Sequence, residues 1–163
     1  MRKIVFIVGQ GGSGKTTLVS YFQKHLVKNW LFFDFDNGVK VKPHTKNLKL
    51  LGEWVDKQRN YWLKEVRSLK YGNKNICLFG VGLFPWKVGD LKKDAYFGYL
   101  SLDQDTRKQR LDERGDPHLW AAYQKDISDI VKKLDQAGAK RIDNTNRPIK
   151  ETAQEIKNWL ESL

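Results

Sequence analysis

The chain is poor in everything that would staple, anchor or export it. Cys77 is the single cysteine among 163 residues, so no disulfide can form within one chain. It sits in the apolar run "NICLFG", which suits a small buried hydrophobe better than a redox centre or a metal ligand. Long hydrophobic runs are missing too. "IVFIV" and "ICLFGVGLF" are strand-sized and fall well short of the roughly 20 apolar residues that a membrane-spanning helix needs. Met1-Arg2-Lys3 runs directly into a strand pattern without the apolar core of an export signal, and a cytoplasmic protein is expected. Acid is in deficit: 19 Asp and Glu stand against 30 Lys and Arg, a formal net charge of +11. A positive field draws in phosphates and nucleic acids. The lysines are spread over nearly every segment, however, and this favours a solvated basic surface over a dedicated nucleic-acid groove.

What is present is an alternation. Apolar, β-branched runs near residues 3–8, 31–35, 75–80, 95–101 and 140–143 read as strands. Helical patterns fit between and after them, over 15–28, 46–70 (one long or broken helix), 104–113, 119–137 and 149–162. Gly138 stops the fourth of these helices, and Pro148 precedes the last, whose Ala153, Ile156, Trp159 and Leu160 share a face. Strands alternating with helices are the signature of βαβ units around a parallel sheet. No repeat, low-complexity linker or internal boundary interrupts the pattern, so residues 1–163 are expected to form a single domain.

Four glycines fall within six positions of "FIVGQGGSGKTTL". Gly9 to Thr16, "GQGGSGKT", has the spacing glycine, four residues, Gly-Lys-Ser/Thr, and lies between a strand and a helix. That context marks a phosphate-binding P-loop. Glycines let the backbone curl so that successive N–H groups converge on one anion-sized concavity, and the helix N-terminus adds partial positive charge. Gly9, Gly11, Gly12, Ser13 and Gly14 would form the cradle. Lys15 would reach the β- and γ-phosphates of ATP, Thr16 would ligate Mg²⁺, and Thr17 would donate to the α-phosphate.

The second strand ends in "FFDFDN". In an extended chain Asp34 and Asp36 would share a face at the C-terminal edge of the sheet, where ligands bind in open α/β sheets. One carboxylate could organise the metal's waters while the other accepts a proton from an attacking hydroxyl. The bland alternative is a pair of acids capping a strand.

With these residues in order, the chain resembles the small P-loop kinases, the shikimate kinase-like branch most closely, and more broadly the nucleoside and nucleotide kinase-like P-loop proteins. The resemblance rests on "GQGGSGKTT", "DFD", "GVG" at Gly80–Gly82, a lid within "SLDQDTRKQRLDERGDPHL", and "DNTNRP" before the last helix. It implies a three-layer α/β fold with a five-stranded parallel sheet in the order 2-3-1-4-5 and a short lid at about 112–120. It also implies an acceptor-binding helical region at about 40–72. By position, Asp34 would be the acid near Mg²⁺ and Asp36 the one holding the acceptor hydroxyl. Gly80, Val81 and Gly82 would line the acceptor pocket with backbone. Arg110 would pack on the adenine opposite the loop from Asn144 to Pro148, with Asn146 and Pro148 on its face. Where the family has an arginine immediately before the "P-x-L" of the lid, this chain has Asp116, so Arg114 or Arg107 would have to stabilise the transferred phosphoryl group. A solvated helix face is the other reading of these arginines.

Two family arginines that grip a substrate carboxylate become Trp62, in "YWLKE", and Trp120, which precedes Tyr123 by three positions. An indole offers a flat apolar face and one N–H where a guanidinium offers a fork, so shikimate itself is disfavoured. Indoles facing a cleft would suit a planar ring; alternatively Trp62 joins Val55, Val66 and Leu69 in the core stripe of its helix. The expected activity is ATP- and Mg²⁺-dependent phosphoryl transfer to a small-molecule acceptor by a monomer without membrane contact, with a nucleoside or nucleotide as first guess. The alternatives are a shikimate- or sugar-type kinase gripping its substrate through Arg59 or Arg67, a polynucleotide 5′-hydroxyl kinase, and a non-catalytic nucleotide-binding switch.

Overall fold

Five segments pair side by side into one parallel sheet: β1 (Ile4–Val8), β2 (Trp30–Asp34), β3 (Asn75–Gly80), β4 (Ala95–Ser101) and β5 (Lys140–Asp143), in the order β2-β3-β1-β4-β5. The computed structural model describes residues 2–25, 27–38, 43, 45, 47–122 and 127–163. β1 is central and all five of its residues are buried, which is why it reads as an unbroken apolar run: helices cover both faces of a parallel sheet. The register sets Val8 beside Gly80 on one side and Tyr99 on the other, and Asp34 beside Phe79. The C-terminal ends of β1, β2 and β3 therefore finish along one edge.

Alternation along the strands divides the core into two layers. Phe6, Val8, Ile76 and Leu78 pack on one face against Trp54 and Trp62 of α2 (Leu48–Glu65) and Leu134 of α5 (Ile127–Gln136). Val5, Ile7, Cys77 and Phe79 pack on the other against Leu18 and Phe22 of α1 (Lys15–Lys24) and Ile156 and Leu160 of α6 (Ile149–Ser162). Each such large side chain contributes about 1.5–3 kcal/mol when fully buried. Cys77 is fully buried, and desolvation holds its thiol well above the ordinary value, so it is inert packing.

Local chemistry sets the helix ends. α1 stops at Lys24, short of the expected 28, and Asn29, at φ +67°, turns the chain toward β2. α2 begins behind Asn47, whose Oδ1 accepts the N–H groups of Lys49 (3.0 Å) and Leu50 (3.4 Å). It buries Leu51, Trp54, Gln58 and Trp62, one face at helical spacing. α3 (Gln104–Glu113) and α6 have the expected bounds. Where one helix over 119–137 is expected, the structure has α4 (His118–Ala122) and α5; residues 123–126, Tyr123 among them, lie outside those described, as do 39–42, 44 and 46 of the expected acceptor region. No helix of the described residues is long and apolar enough to cross a membrane.

Candidate active site

The glycine-rich segment leaves β1 and folds back on itself before α1. The Gly9 N–H donates to the Gly80 carbonyl at the end of β3 (3.3 Å), and the Ser13 N–H donates to the Gln10 carbonyl (3.2 Å). Gly12 and Gly14 lie at φ +83° and +89°, where side chains are strained. The Lys15 ammonium curls over its own loop, donating to the Gln10 carbonyl (2.8 Å) with the Ser13 hydroxyl at 3.5 Å. Thr16 and Thr17 are exposed on the first turn of α1. A lysine, two hydroxyls and the N-terminus of a ten-residue helix thus converge on one loop, a cradle for an anion.

A residue given by the sequence only as the edge of a loop fixes this cradle from behind. Asn144, buried, donates its Nδ2–H to the Ser13 carbonyl (2.8 Å) and accepts the Thr152 hydroxyl at Oδ1 (2.7 Å). A Cβ on Gly14 would lie 2.9 Å from that same Nδ2. The loop behind β5 is in turn tied to α3: Arg110 Nη2 donates to the Asn144 carbonyl (3.1 Å) and the Thr106 hydroxyl to Asn146 Oδ1 (3.2 Å). Arg110 and the segment leading to Pro148 are therefore brought together beside the P-loop.

The acid pair departs from the expected geometry. β2 ends at Asp34, one residue earlier than expected, and Phe35–Asn37 form a 3₁₀ turn, so Asp34 and Asp36 do not share a strand face. The cause is local. Asp34 Oδ1 accepts the Asp36 N–H (3.0 Å), and a carboxylate that bonds the backbone two residues on closes a turn in place of continuing the strand. Asp34 is 5% exposed, whereas Asp36 is half-buried. Between them Phe35 is driven into the core against Gly80, where a Cβ would come within 2.3 Å of Phe35 Cβ. Gly80 thus carries both the start of the P-loop, through its carbonyl, and the acid turn, through its missing side chain.

Trp62 is only 4% exposed, packs on Phe33 and Tyr61, and donates Nε1–H to the Phe35 carbonyl (2.9 Å). The stacking surface expected of it is spent in the core, the other place the sequence allowed, and its N–H braces the acid turn. Trp120 has different neighbours: the Arg107 guanidinium lies 5.3 Å from its ring centroid. Arg107, 2% exposed, donates Nε–H to the Gly11 carbonyl (3.1 Å) and Nη2–H to the Leu119 carbonyl (3.2 Å). It is a strut between the P-loop and α4, the helix that carries Trp120 within the expected lid segment.

Val81 and Gly82, expected to line an acceptor pocket, follow β3, with Gly82 at φ +74°. A Cβ on Gly82 would meet Val55 Cγ1 at 2.7 Å and Arg59 Nη1 at 3.7 Å, so α2 lies close over this loop. The Arg59 side chain is 14% exposed and is held by Asp56 Oδ1 at Nη2 (2.6 Å). Arg67, by contrast, is exposed beyond the end of α2. Arg114, in the expected lid segment, is half-exposed and ion-paired with Asp116.

No cluster of three or more His, Cys, Asp or Glu among the described residues could hold a metal ion. The oxygen donors expected for a metal are the exposed Thr16 hydroxyl on the first turn of α1 and the buried Asp34 carboxylate at the end of β2. That sparse set fits Mg²⁺, which keeps several waters and takes phosphate oxygens in place of a full protein cage.

The zeta toxin family model matches residues 1–70, under half of the chain, the part that carries the P-loop, the acid turn and α2. No curated protein matches in sequence. Solved structures match over nearly the whole chain. A shikimate kinase from Bacteroides thetaiotaomicron has 19% identity, TM-score 0.59, and 98% of both chains covered. A shikimate kinase from Acinetobacter baumannii in complex with shikimate has 18% identity and TM-score 0.58, covering 99% of this chain and 94% of that one. A gluconokinase from Sinorhizobium meliloti 1021 has 15% identity and TM-score 0.58, with 99% and 94% covered. The fold is that of the small P-loop kinases, with the strand order the resemblance implies.

Proposed function

We propose that the chain is an ATP- and Mg²⁺-dependent phosphotransferase acting on a hydroxyl of a small molecule that also carries an anionic group. The observation that carries the reading is the shared footing at Gly80, which fixes an anion cradle and a carboxylate-bearing turn side by side at one sheet edge. A donor site alone would serve a switch; a donor site with a half-buried carboxylate beside it serves transfer. Lys15 neutralises the β- and γ-phosphates, and the loop N–H groups hold them in line. Thr16 and Asp34 would hold Mg²⁺, whose contribution when bound is charge neutralisation across the phosphates. Asp36 accepts or orients the acceptor's proton, and Arg114 answers the charge spread over the transferred group. Arg110 and the loop through Asn146 and Pro148 flank the adenine. Most of the acceleration comes from positioning and fixed charge.

Gly80, Val81 and Gly82 line the acceptor side with backbone, and Arg59 faces this loop from α2. A guanidinium that close to the pocket, with one nitrogen already committed to Asp56, suits a carboxylate or phosphate on the acceptor. The likeness to structures named as shikimate kinase and gluconokinase supports a small acceptor. A nucleotide fits through its phosphate, but Trp62 gives no support to selection of a planar ring. The proposal includes a cytoplasmic, monomeric enzyme.

The test is ATP consumption with neutral and anionic polyols, sugar phosphates, nucleosides, nucleotides and 5′-hydroxyl oligonucleotides. The expected substrate is an anionic hydroxy compound. Arg59→Ala should raise its KM about 10-fold or more, as loss of a charged hydrogen bond implies, with the KM for MgATP nearly unchanged. Preference for neutral acceptors with Arg59→Ala silent overturns the anionic acceptor, and no transfer to any class overturns the kinase reading.

A further inference from the structure

Asp116 stands where the resemblance puts an arginine, and the structure gives it a defined partner. α3 ends in a closed turn: Gly115, at φ +78°, donates its N–H to the Asp112 carbonyl (3.0 Å), and the Asp116 N–H donates to the Leu111 carbonyl (2.9 Å). These are the two bonds of a Schellman motif. The Asp116 carbonyl then accepts the Leu119 N–H (3.1 Å), so its backbone is fixed on both sides. The carboxylate so aimed takes the Nε–H of Arg114 at 2.7 Å.

This turn rests on the P-loop. A Cβ on Gly11 would lie 3.6 Å from Leu111 Cδ2, 3.6 Å from Leu119 Cδ1 and 3.9 Å from Arg114 Nη2. The Arg114 guanidinium is thereby divided: its Nε edge is on Asp116, and Nη2 is turned toward the phosphate cradle. Arg107 is anchored elsewhere: it is 2% exposed, and its Nε and Nη2 serve the Gly11 and Leu119 carbonyls. At 51% side-chain exposure, Arg114 without its carboxylate would sample many rotamers and would have to be ordered in every turnover.

We propose that Asp116 is a positioning residue that holds Arg114 over Gly11 with one edge of its guanidinium presented to the γ-phosphate position. The inference rests on the kinase reading. Because Asp116 touches neither nucleotide nor acceptor, its loss lowers turnover without weakening the binding of MgATP. Its partnership is through a hydrogen bond, so an amide in its place keeps most of the effect.

The experiment measures MgADP affinity by calorimetry for the full chain, with and without tetrafluoroaluminate, which mimics the phosphoryl group in transfer. The variants are Asp116→Ala, Asp116→Asn, Arg114→Ala and the double Ala variant. All should bind MgADP within about 2-fold of wild type. The tightening by fluoroaluminate should fall about 10-fold in Asp116→Ala and in Arg114→Ala, with no further loss in the double variant, as for residues acting as one unit. Asp116→Asn should recover to within about 3-fold. Full tightening in Asp116→Ala, additive losses in the double variant, loss of MgADP binding in Asp116→Ala, or no tightening in the wild type each overturns the positioning role. If the wild-type chain binds no MgADP, the P-loop reading itself falls, and this inference with it.

Discussion

The side-chain amide of Asn144 donates to the Ser13 carbonyl at 2.8 Å across 131 residues of sequence. With its Oδ1 taking the Thr152 hydroxyl at 2.7 Å, it joins the P-loop to α6. Both bonds are buried, and each group left unpaired costs about 1–3 kcal/mol. Asn144→Ala should therefore lower the melting temperature by several degrees and loosen the P-loop, weakening MgATP about 10-fold, roughly 1.4 kcal/mol. Thermal unfolding and calorimetry check this; wild-type values in both would mean that Asn144 only fills space.

Trp62 braces the acid turn through Nε1–H to the Phe35 carbonyl. Trp62→Phe keeps a ring in the core and deletes that bond, so stability should drop by about 1–3 kcal/mol in denaturant unfolding. Turnover should fall more than acceptor affinity, because Asp36 is displaced while the GVG loop is not. A selective loss of affinity for ring-bearing acceptors would instead restore Trp62 as a stacking surface.

Asp103 and Asp143 titrate low, each chiefly because its carboxylate accepts a backbone N–H, from Thr106 and Thr145 respectively. Their folded values lie below the ordinary 3.8. The ionised forms favour the native state, so this contribution is complete above the unfolded value and is lost as pH falls through the folded ones. The two capped segments bond each other, Asp103 N–H to the Thr145 hydroxyl at 3.0 Å, and they flank the proposed adenine slot. Acid should loosen that slot before the sheet: the amide resonances of Thr106 and Thr145 should titrate below pH about 4, and Asp103→Asn should abolish the Thr106 step. Flat resonances down to global acid unfolding would contradict it.

The sheet was legible because β1 and β3, buried on both faces, read as short apolar runs; β3, β4 and β5 have the bounds expected from sequence. The glycine loop between β1 and α1 was legible because Gly12 and Gly14 have a steric reason, a positive φ, that their spacing makes visible. The acid turn was legible in identity and not in shape. Periodicity places Asp34 and Asp36 on one strand face, but a single carboxylate-to-amide bond two residues long overrides it. Trp62 and Arg59 lie one turn apart on α2, and sequence gave no means of telling which faces the core. That choice is made by Gly38, Phe35 and Gly82, whose closeness to α2 only the folded chain reveals. Asn144 was hidden for the same reason, its partner Ser13 being at the other end of the chain.

The central claim is that Lys15 serves the donor and Asp36 the acceptor, and one comparison tests it directly: MgATP affinity and acceptor-dependent turnover measured side by side in Lys15→Ala and Asp36→Asn. Lys15→Ala should stay folded, since its half-buried side chain at the start of α1 belongs to neither core layer, and lose both quantities. Asp36→Asn should keep MgATP affinity within about 3-fold while turnover falls about 100-fold or more, the range of a lost general base. Near-wild-type turnover in Asp36→Asn, or equal losses of binding and turnover in the two variants, would contradict the division of labour on which the account stands.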